Sequence, residues 1–167
     1  QEKAKDRETG TRMLTVLSPI FIFLYAILFS LIAFDLVMSL EPHWLSTLFG
    51  AYFCIGNLYT GLGALAVIAV IARSSFGLPA LFPPERAHDL GKLIFSFCIL
   101  WTYLFWCQYL PIWYGNLPEE TGFLLVRLEE EPWMDVSFVV LLLTFLTPFP
   151  LLLLQWVKRT PAVLAVV

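Results

Sequence analysis

Charged residues are scarce in this sequence. Of its 167 residues, 14% are Asp, Glu, Lys or Arg, whereas 59% are hydrophobic. A soluble domain is about 25% charged and about 45–50% apolar. So few polar side chains cannot cover a water-facing surface, and the mean hydropathy of +0.80 is correspondingly high. The composition therefore excludes a soluble enzyme, a nucleic-acid-binding protein and a disordered tail, and it predicts an integral membrane protein.

Cysteine is also scarce, and the three cysteines, Cys54, Cys98 and Cys107, lie inside apolar stretches without forming a CxxC pair. This spacing favours small buried side chains over a disulfide framework or a zinc site. A haem-binding CxxCH motif, a phosphate-binding Walker loop and a metal-ligand spacing are absent from the sequence as well. We therefore expect this chain to bind no metal and no redox cofactor itself.

Long apolar stretches dominate instead. A membrane-spanning helix needs about 20 mostly apolar residues, and four stretches qualify, at about 14–38, 48–72, 90–113 and 136–156. A further helix could start at residue 161. These stretches are too long for the alternating segments of about ten residues that build a membrane β-barrel. We predict an all-α, polytopic membrane protein with one four-helix transmembrane bundle over residues 1–167, forming an internal piece of a longer protein.

The basic residues predict an orientation. All Lys and Arg residues except Arg127 lie before the first apolar stretch, between the second stretch and the start of the third (with Lys92 in its first turn), or after the fourth. The positive-inside rule therefore places both ends of the sequence in the cytoplasm. The connections 39–47 and 114–135 then face the other side of the membrane. The second of them is acidic, with carboxylates at 119, 120, 129–131 and 135.

Ionisable groups within a membrane are costly and are functional candidates by default. Asp35 lies near the outer end of the first predicted helix, followed at about two turns by Glu41 and His43. Two carboxylates and an imidazole at a membrane surface could accept and pass on protons. Alternatively, Asp35 bonds to a neighbouring helix, while Glu41 and His43 are simply hydrated.

The third predicted helix carries a polar stripe. At about 100° per residue, five of its side chains project within about 40° of one another: Asp89, Ser96, Tyr103, Cys107 and Tyr114. Lys92 lies to one side of them. Exchangeable groups at such intervals are typical of a path for protons or water. In the simpler interpretation Asp89 caps the helix, Lys92 extends its amine to the interface, and the tyrosines anchor the helix there.

Amide, phenol and carboxylate groups gather at the outer end of the same helix: Gln108, Tyr109, Trp113, Tyr114, Glu119 and Glu120. Polar groups beside aromatic rings could hold a quinone head group. An interfacial belt of aromatic residues would give a similar pattern.

Two segments carry a family resemblance. The stretch FDLVMSLEPHWLSTLFGAYF at 34–53 and the stretch HDLGKLIFSFCILWTYLFWCQYLPIWYGNLPEET at 88–121 resemble segments of the large membrane subunits of bacterial alternative complex III. These subunits are related to the polysulfide-reductase-type, NrfD-like membrane subunits. The HDLGK opening is more similar to the ActF-like subunit of the complex than to its ActC-like sister.

The resemblance implies a subunit of about ten transmembrane helices in the bacterial inner membrane. The complex that it implies oxidises a quinol of the menaquinol type. Expected partners are the lipid bilayer, a sister quinol-binding membrane subunit, an iron–sulfur subunit and c-type cytochrome subunits that hold the clusters and haems. The positions that match polar motif residues of the family are Asp35, Glu41, His43, His88, Asp89, Lys92, Tyr103, Gln108, Tyr114, Glu119 and Glu120.

Together these observations predict a membrane subunit that contributes a proton path and a scaffold. The path would begin at His88, Asp89 and Lys92, continue along Ser96 and Tyr103, and end at Asp35, Glu41 and His43. A purely structural membrane anchor of the same complex is one alternative. A secondary transporter is another, because Pro148 and Pro150 should break the fourth helix.

Overall fold

The computed structural model describes residues 2–42, 44–75 and 83–165, with the backbone alone for residues 2–9. These residues are mostly helical and contain no strand. Four segments are long and apolar enough to cross a membrane: Gly10–Leu40, Phe49–Ser75, Pro84–Gly115 and Trp133–Leu153. The predicted all-α class with four transmembrane helices is therefore confirmed.

Eight α-helices follow one another along the chain. They are α1 (Glu2–Ile32), α2 (Phe49–Ser75), α3 (Pro84–Gly115), α4 (Pro118–Leu128), α5 (Trp133–Leu141), α6 (Pro148–Leu153), α7 (Gln155–Arg159) and α8 (Pro161–Leu164). A π-helical turn, Ala33–Val37, and a 3₁₀ turn, Met38–Leu40, extend α1. Helix α3 begins six residues before its apolar stretch, because a proline at the first helical position and the charged residues after it suit a first turn.

The connection between the third and fourth spans contains a helix, α4, where the sequence pattern indicated a loop. Pro118 occupies its first turn together with Glu119 and Glu120. A proline with fixed φ and carboxylates near the amide end both stabilise a helix N-terminus. This short helix lies at one end of the bundle, which we call the α4 end. The opposite end, where α3 begins and α7 ends, is the α7 end.

The fourth span is irregular just before Pro148 and Pro150, whose positions predicted a kink or break, and its helical backbone is interrupted after them, at Leu154. A π-helical turn, Leu142–Leu146, follows α5, and the amide of Thr147 donates to the carbonyl of Leu142 at 2.9 Å. Pro148 has no amide hydrogen, so the carbonyl of Thr144 lacks its usual partner four residues on. Tyr59 Oη donates to that carbonyl at 2.9 Å, and Cys98 Sγ donates to it at 3.4 Å. Side chains of α2 and α3 therefore donate to the Thr144 carbonyl in place of the missing Pro148 amide.

Close helix contacts hold the bundle together. A Cβ atom at Gly56 would lie 3.1 Å from Trp101 Nε1, so this glycine lets α2 approach α3. A Cβ atom at Gly91 would lie 2.8 Å from Lys158 Cγ, so α3 and α7 meet equally closely. Small residues at such contacts are typical of membrane helix pairs. The buried core lies at the α7 end and includes Ala66, Ala87, Leu90, Ile94, Leu152, Val157 and Leu164.

Candidate functional site

A cavity of about 570 Å³ lies at the α4 end of the bundle. The end of the first span, the start of α2, the end of α3, and helices α4 and α5 surround it. Its walls are largely aromatic and include Trp44, Phe49, Tyr52, Trp101, Phe105 and Phe138. Binding sites for small molecules commonly have this size and combine apolar walls with a few polar groups. The cavity is therefore the candidate functional site.

Helix α4 is held over the cavity by stacked side chains. The rings of Trp44 and Phe123 are parallel to within 4°, with centroids 3.8 Å apart. The guanidinium of Arg127 lies 3.5 Å from the centroid of the same Phe123 ring. Two groups this close cannot share one face of a ring, so Phe123 is sandwiched between them. Trp44 is only 3% exposed and anchors the stack to the connection before α2.

Arg127 and Glu41 give the cavity one positive and one negative group. Both residues line it, and Arg127 Nη1 also donates to the carbonyl of Phe123 at 2.7 Å. Partial burial lowers the pKa of Arg127, while the nearby carboxylate of Glu41 opposes this shift. A cation and a carboxylate can thus both act on the same bound molecule.

Gln108 is the polar side chain that α3 contributes to the cavity wall. Ser46 Oγ donates to Gln108 Oε1 at 3.1 Å. This bond turns the amide oxygen toward Ser46 and leaves the amide nitrogen as a donor for a ligand. The next residue, Tyr109, also lines the cavity, with its ring 6.1 Å from Phe105 and 5.5 Å from Trp106.

The structure separates the residues that were predicted to lie near a quinone. Gln108 and Tyr109 line the cavity, together with Glu41 from the predicted proton path. Trp113 and Tyr114 are exposed at the end of α3, with ring centroids 5.2 Å apart. Glu119 and Glu120 occupy the first turn of α4, outside the cavity lining.

Trp44, Phe123 and Arg127 are among the many cavity residues that were not recognised from the sequence. A signal was present, because Phe123, Leu124, Arg127 and Leu128 follow the spacing of one helical face and all line the cavity.

The predicted polar stripe lies on the exposed face of α3. Lys92 Nζ and Asp89 Oδ1 form an ion pair at 3.1 Å in which both side chains are exposed. Ser96 donates to the carbonyl of Lys92 in its own helix at 2.9 Å, and Tyr103 is 61% exposed. Within the described residues, therefore, no other helix covers the stripe, and the proton path stays a prediction.

The remaining residues of that path lie apart from the stripe. Asp35 is exposed within the π-helical turn that follows α1. His88 lines a groove at the α7 end together with Arg159. His43 lies outside the described residues.

No protein-family model matches this chain, and no curated protein matches it either. The relationship to quinol-oxidising complexes, predicted from the segments 34–53 and 88–121, therefore stays a prediction.

Proposed function

We propose that this chain is a membrane subunit of a quinol-oxidising electron-transfer complex and that its cavity receives the quinol head group. One observation carries the proposal. The two segments that resemble alternative complex III are separated by 34 residues of sequence, between 53 and 88, yet both line the same cavity. The first contributes Glu41 and Trp44, and the second contributes Trp101, Gln108 and Tyr109.

The cavity offers chemistry suited to a quinol. Its aromatic walls can pack against a flat ring, as aromatic pairs do. The amide nitrogen of Gln108 and the guanidinium of Arg127 can donate to the two ring oxygens. Oxidation of the quinol releases two electrons and two protons. The exposed carboxylate of Glu41 can accept one hydroxyl proton, pass it to water and then accept the second. The two electrons would leave through iron–sulfur clusters and c-type haems held by partner subunits.

The wider proposal follows the resemblance. The subunit would lie in the bacterial inner membrane with the α7 end toward the cytoplasm, beside a sister quinol-binding subunit. The stripe formed by Asp89, Lys92, Ser96 and Tyr103 would conduct protons once a neighbouring transmembrane helix covers it. Such a cover is needed because polar groups in contact with lipid are costly.

Titration with a water-soluble naphthoquinone tests the proposal. Trp44 and Trp101 line the cavity, so a bound quinone should quench their fluorescence. We expect saturable quenching in the purified protein. Replacement of Gln108 by Leu should weaken binding about tenfold, the loss of roughly one well-placed hydrogen bond.

Two further variants complete the design. Ser137→Phe should fill the cavity and abolish saturable quenching, because Ser137 lines the wall. Glu119→Gln is the matched control, since it lies on α4 outside the lining and should leave binding unchanged. Linear, unsaturable quenching in every variant would refute the quinol site and favour the purely structural anchor.

A further inference from the structure

One face of α3 is left uncovered by the described part of the bundle. Side chains that alternate at spacings of three and four residues are all exposed along it, and they are Asp89, Lys92, Ser96, Ile99, Tyr103, Trp106, Leu110 and Trp113. This spacing places side chains in one line along a helix and is the spacing by which two helices pack together. We call this line of side chains the α3 seam.

The α3 seam is poorly suited to contact with lipid. It begins with the ion pair between Asp89 and Lys92, and it carries the hydroxyl of Tyr103 near the middle of the apolar stretch 90–113. Among the described residues that hydroxyl interacts with the Cys107 thiol alone, and a thiol is a weak hydrogen-bonding partner. Polar side chains within a membrane span are costly unless protein or water faces them. We therefore expect another protein helix to cover the seam.

A second copy of this chain would present a matching arrangement of charges. Two copies of one chain cross the membrane in the same direction, so their α3 helices are parallel and the two-fold axis between them lies along the membrane normal. On the helix, Asp89 and Lys92 diverge by about 60°. A two-fold axis that passes between these directions places Asp89 of each copy opposite Lys92 of the other.

Four charges would then form a closed network across the axis. Each Asp89 carboxylate keeps the lysine of its own chain, at 3.1 Å, and gains the lysine of the second copy. An exposed ion pair alone contributes little, but charges that flank a helix seam determine which helices pair and in which direction. Glu85 lies one turn before Asp89 and shares a groove with Arg159. Two carboxylates and two cations therefore balance at this end of the seam.

The same axis brings Ser96 and Tyr103 against their counterparts. Both side chains project within about 10° of the direction midway between Asp89 and Lys92. Ser96 is small and satisfies its hydroxyl within its own helix, at 2.9 Å from the Lys92 carbonyl, so it allows two helices to approach closely. A tyrosine hydroxyl both donates and accepts, so two Tyr103 hydroxyls across the axis can satisfy each other. The seam is thus self-complementary in charge and in hydrogen bonding.

We propose that the α3 seam is the interface of a homodimer in which the α3 helices of two copies pack in parallel, crossing at about 20°. The dimer shields the ion pair and the Tyr103 hydroxyl from lipid. It identifies the helix that would cover the proposed proton path. It does not rest on the quinol site, because the cavity-lining residues Trp101 and Gln108 lie on the opposite side of α3.

Energy transfer between donor-labelled and acceptor-labelled copies of the purified protein in micelles measures this dimer. We expect the transfer to saturate as the ratio of protein to detergent rises, and to disappear on dilution with detergent. Ser96→Leu places a bulky side chain near the axis and should weaken dimerisation about tenfold or more. Ser18→Leu is the matched control, because Ser18 is exposed on α1 and also donates to a carbonyl of its own helix.

Charge reversal separates contacts between the copies from the contact within one copy. Asp89→Lys alone sets cations against each other across the axis, and Lys92→Asp alone sets carboxylates against each other, so neither variant should dimerise with itself. A mixture of the two variants should dimerise about as well as wild type, because every cation then faces a carboxylate of the other copy. Neither variant keeps the ion pair within its own chain, so that pair cannot explain recovery in the mixture.

Arg12→Asp is the matched control for the reversals, because it reverses a cation at the same predicted side of the membrane, on α1, and should leave dimerisation unchanged. Wild type without saturable transfer would overturn the proposal and leave the seam to a helix of another subunit. Self-association of both single reversals would also overturn it, since the copies would then meet through another surface. Naphthoquinone titration of the same variants reports separately on the quinol site, because the reversals leave the cavity lining unchanged.

Discussion

The carbonyl of Thr144 offers the sharpest test of how the broken span is stabilised. The usual donor four residues on is missing, because Pro148 lacks the amide hydrogen. Tyr59 Oη donates to it at 2.9 Å, and Cys98 Sγ adds a longer contact at 3.4 Å. Tyr59→Phe removes one oxygen atom and leaves the ring in place, so the change isolates the hydrogen bond from the packing.

We expect a modest loss in the free energy of unfolding for Tyr59→Phe and a larger loss when Cys98→Ala is added. Hydrogen bonds between membrane helices contribute about 0.6 kcal/mol on average and up to about 1.7 kcal/mol. We expect Tyr59→Phe to lower the free energy of unfolding by about 1 kcal/mol, because the Cys98 thiol still donates. Adding Cys98→Ala removes the second side-chain donor as well, which costs about 1–3 kcal/mol more. The two changes should therefore not be additive.

Reversible unfolding in mixed micelles, followed by circular dichroism, measures these values. Tyr103→Phe is the control. Because Tyr103 is exposed, this change should lower the free energy of unfolding only slightly. Pro148→Ala supplies the missing amide hydrogen and should make Tyr59→Phe nearly neutral. If Tyr59→Phe costs the same in the Pro148→Ala background, the account of the Thr144 carbonyl is wrong.

Three further predictions address the proton path, the stacked helix and the helix contacts. Asp89→Asn should reduce proton translocation by the assembled complex, and an unchanged proton-to-electron ratio would remove Asp89 from the path. Trp44→Ala should release α4 and speed its amide hydrogen exchange about tenfold, the equivalent of one aromatic stack; unchanged exchange would show that the stack does not hold α4. Gly91→Ala should destabilise the bundle by about 1–3 kcal/mol, because its Cβ would meet Lys158 Cγ at 2.8 Å. Gly61→Ala, with no atom within 4 Å, should be neutral or stabilising by up to about 1 kcal/mol in the same unfolding measurement.

The membrane spans could be predicted from the sequence because a span leaves a simple signal, a long stretch without charge. Helix α4 could not be found this way. It is short, and its apolar residues, 123–126 and Leu128, are far too few for a membrane span. A search for long uncharged stretches overlooks such a short interfacial helix, because the connection around it is rich in Glu and Asp. The spacing of the cavity-lining residues of α4 can be interpreted only once the position of the cavity is known.

The sequence also does not show whether the polar stripe of α3 faces the core of the bundle or the lipid. Helical spacing shows that Asp89, Ser96 and Tyr103 share a face of α3, but it does not show where that face points. In a soluble protein the apolar face points inward. In a membrane both the core and the lipid are apolar, so hydrophobicity cannot distinguish them. In the structure the buried face of α3 includes Cys98 and Trp101, and the polar stripe lies opposite that core.

The buried core and the candidate binding cavity lie at different ends of this bundle. The fully buried side chains Leu152 and Val157 belong to the core at the α7 end. At the α4 end, half-buried aromatic rings such as Phe49 and Phe105 surround open volume instead. Close packing at one end can maintain the fold while the other end keeps the space that a ligand requires. Both π-helical turns adjoin the cavity: Ala33–Val37 reaches it through Val37, and Leu142–Leu146 directly follows Leu141, which lines it.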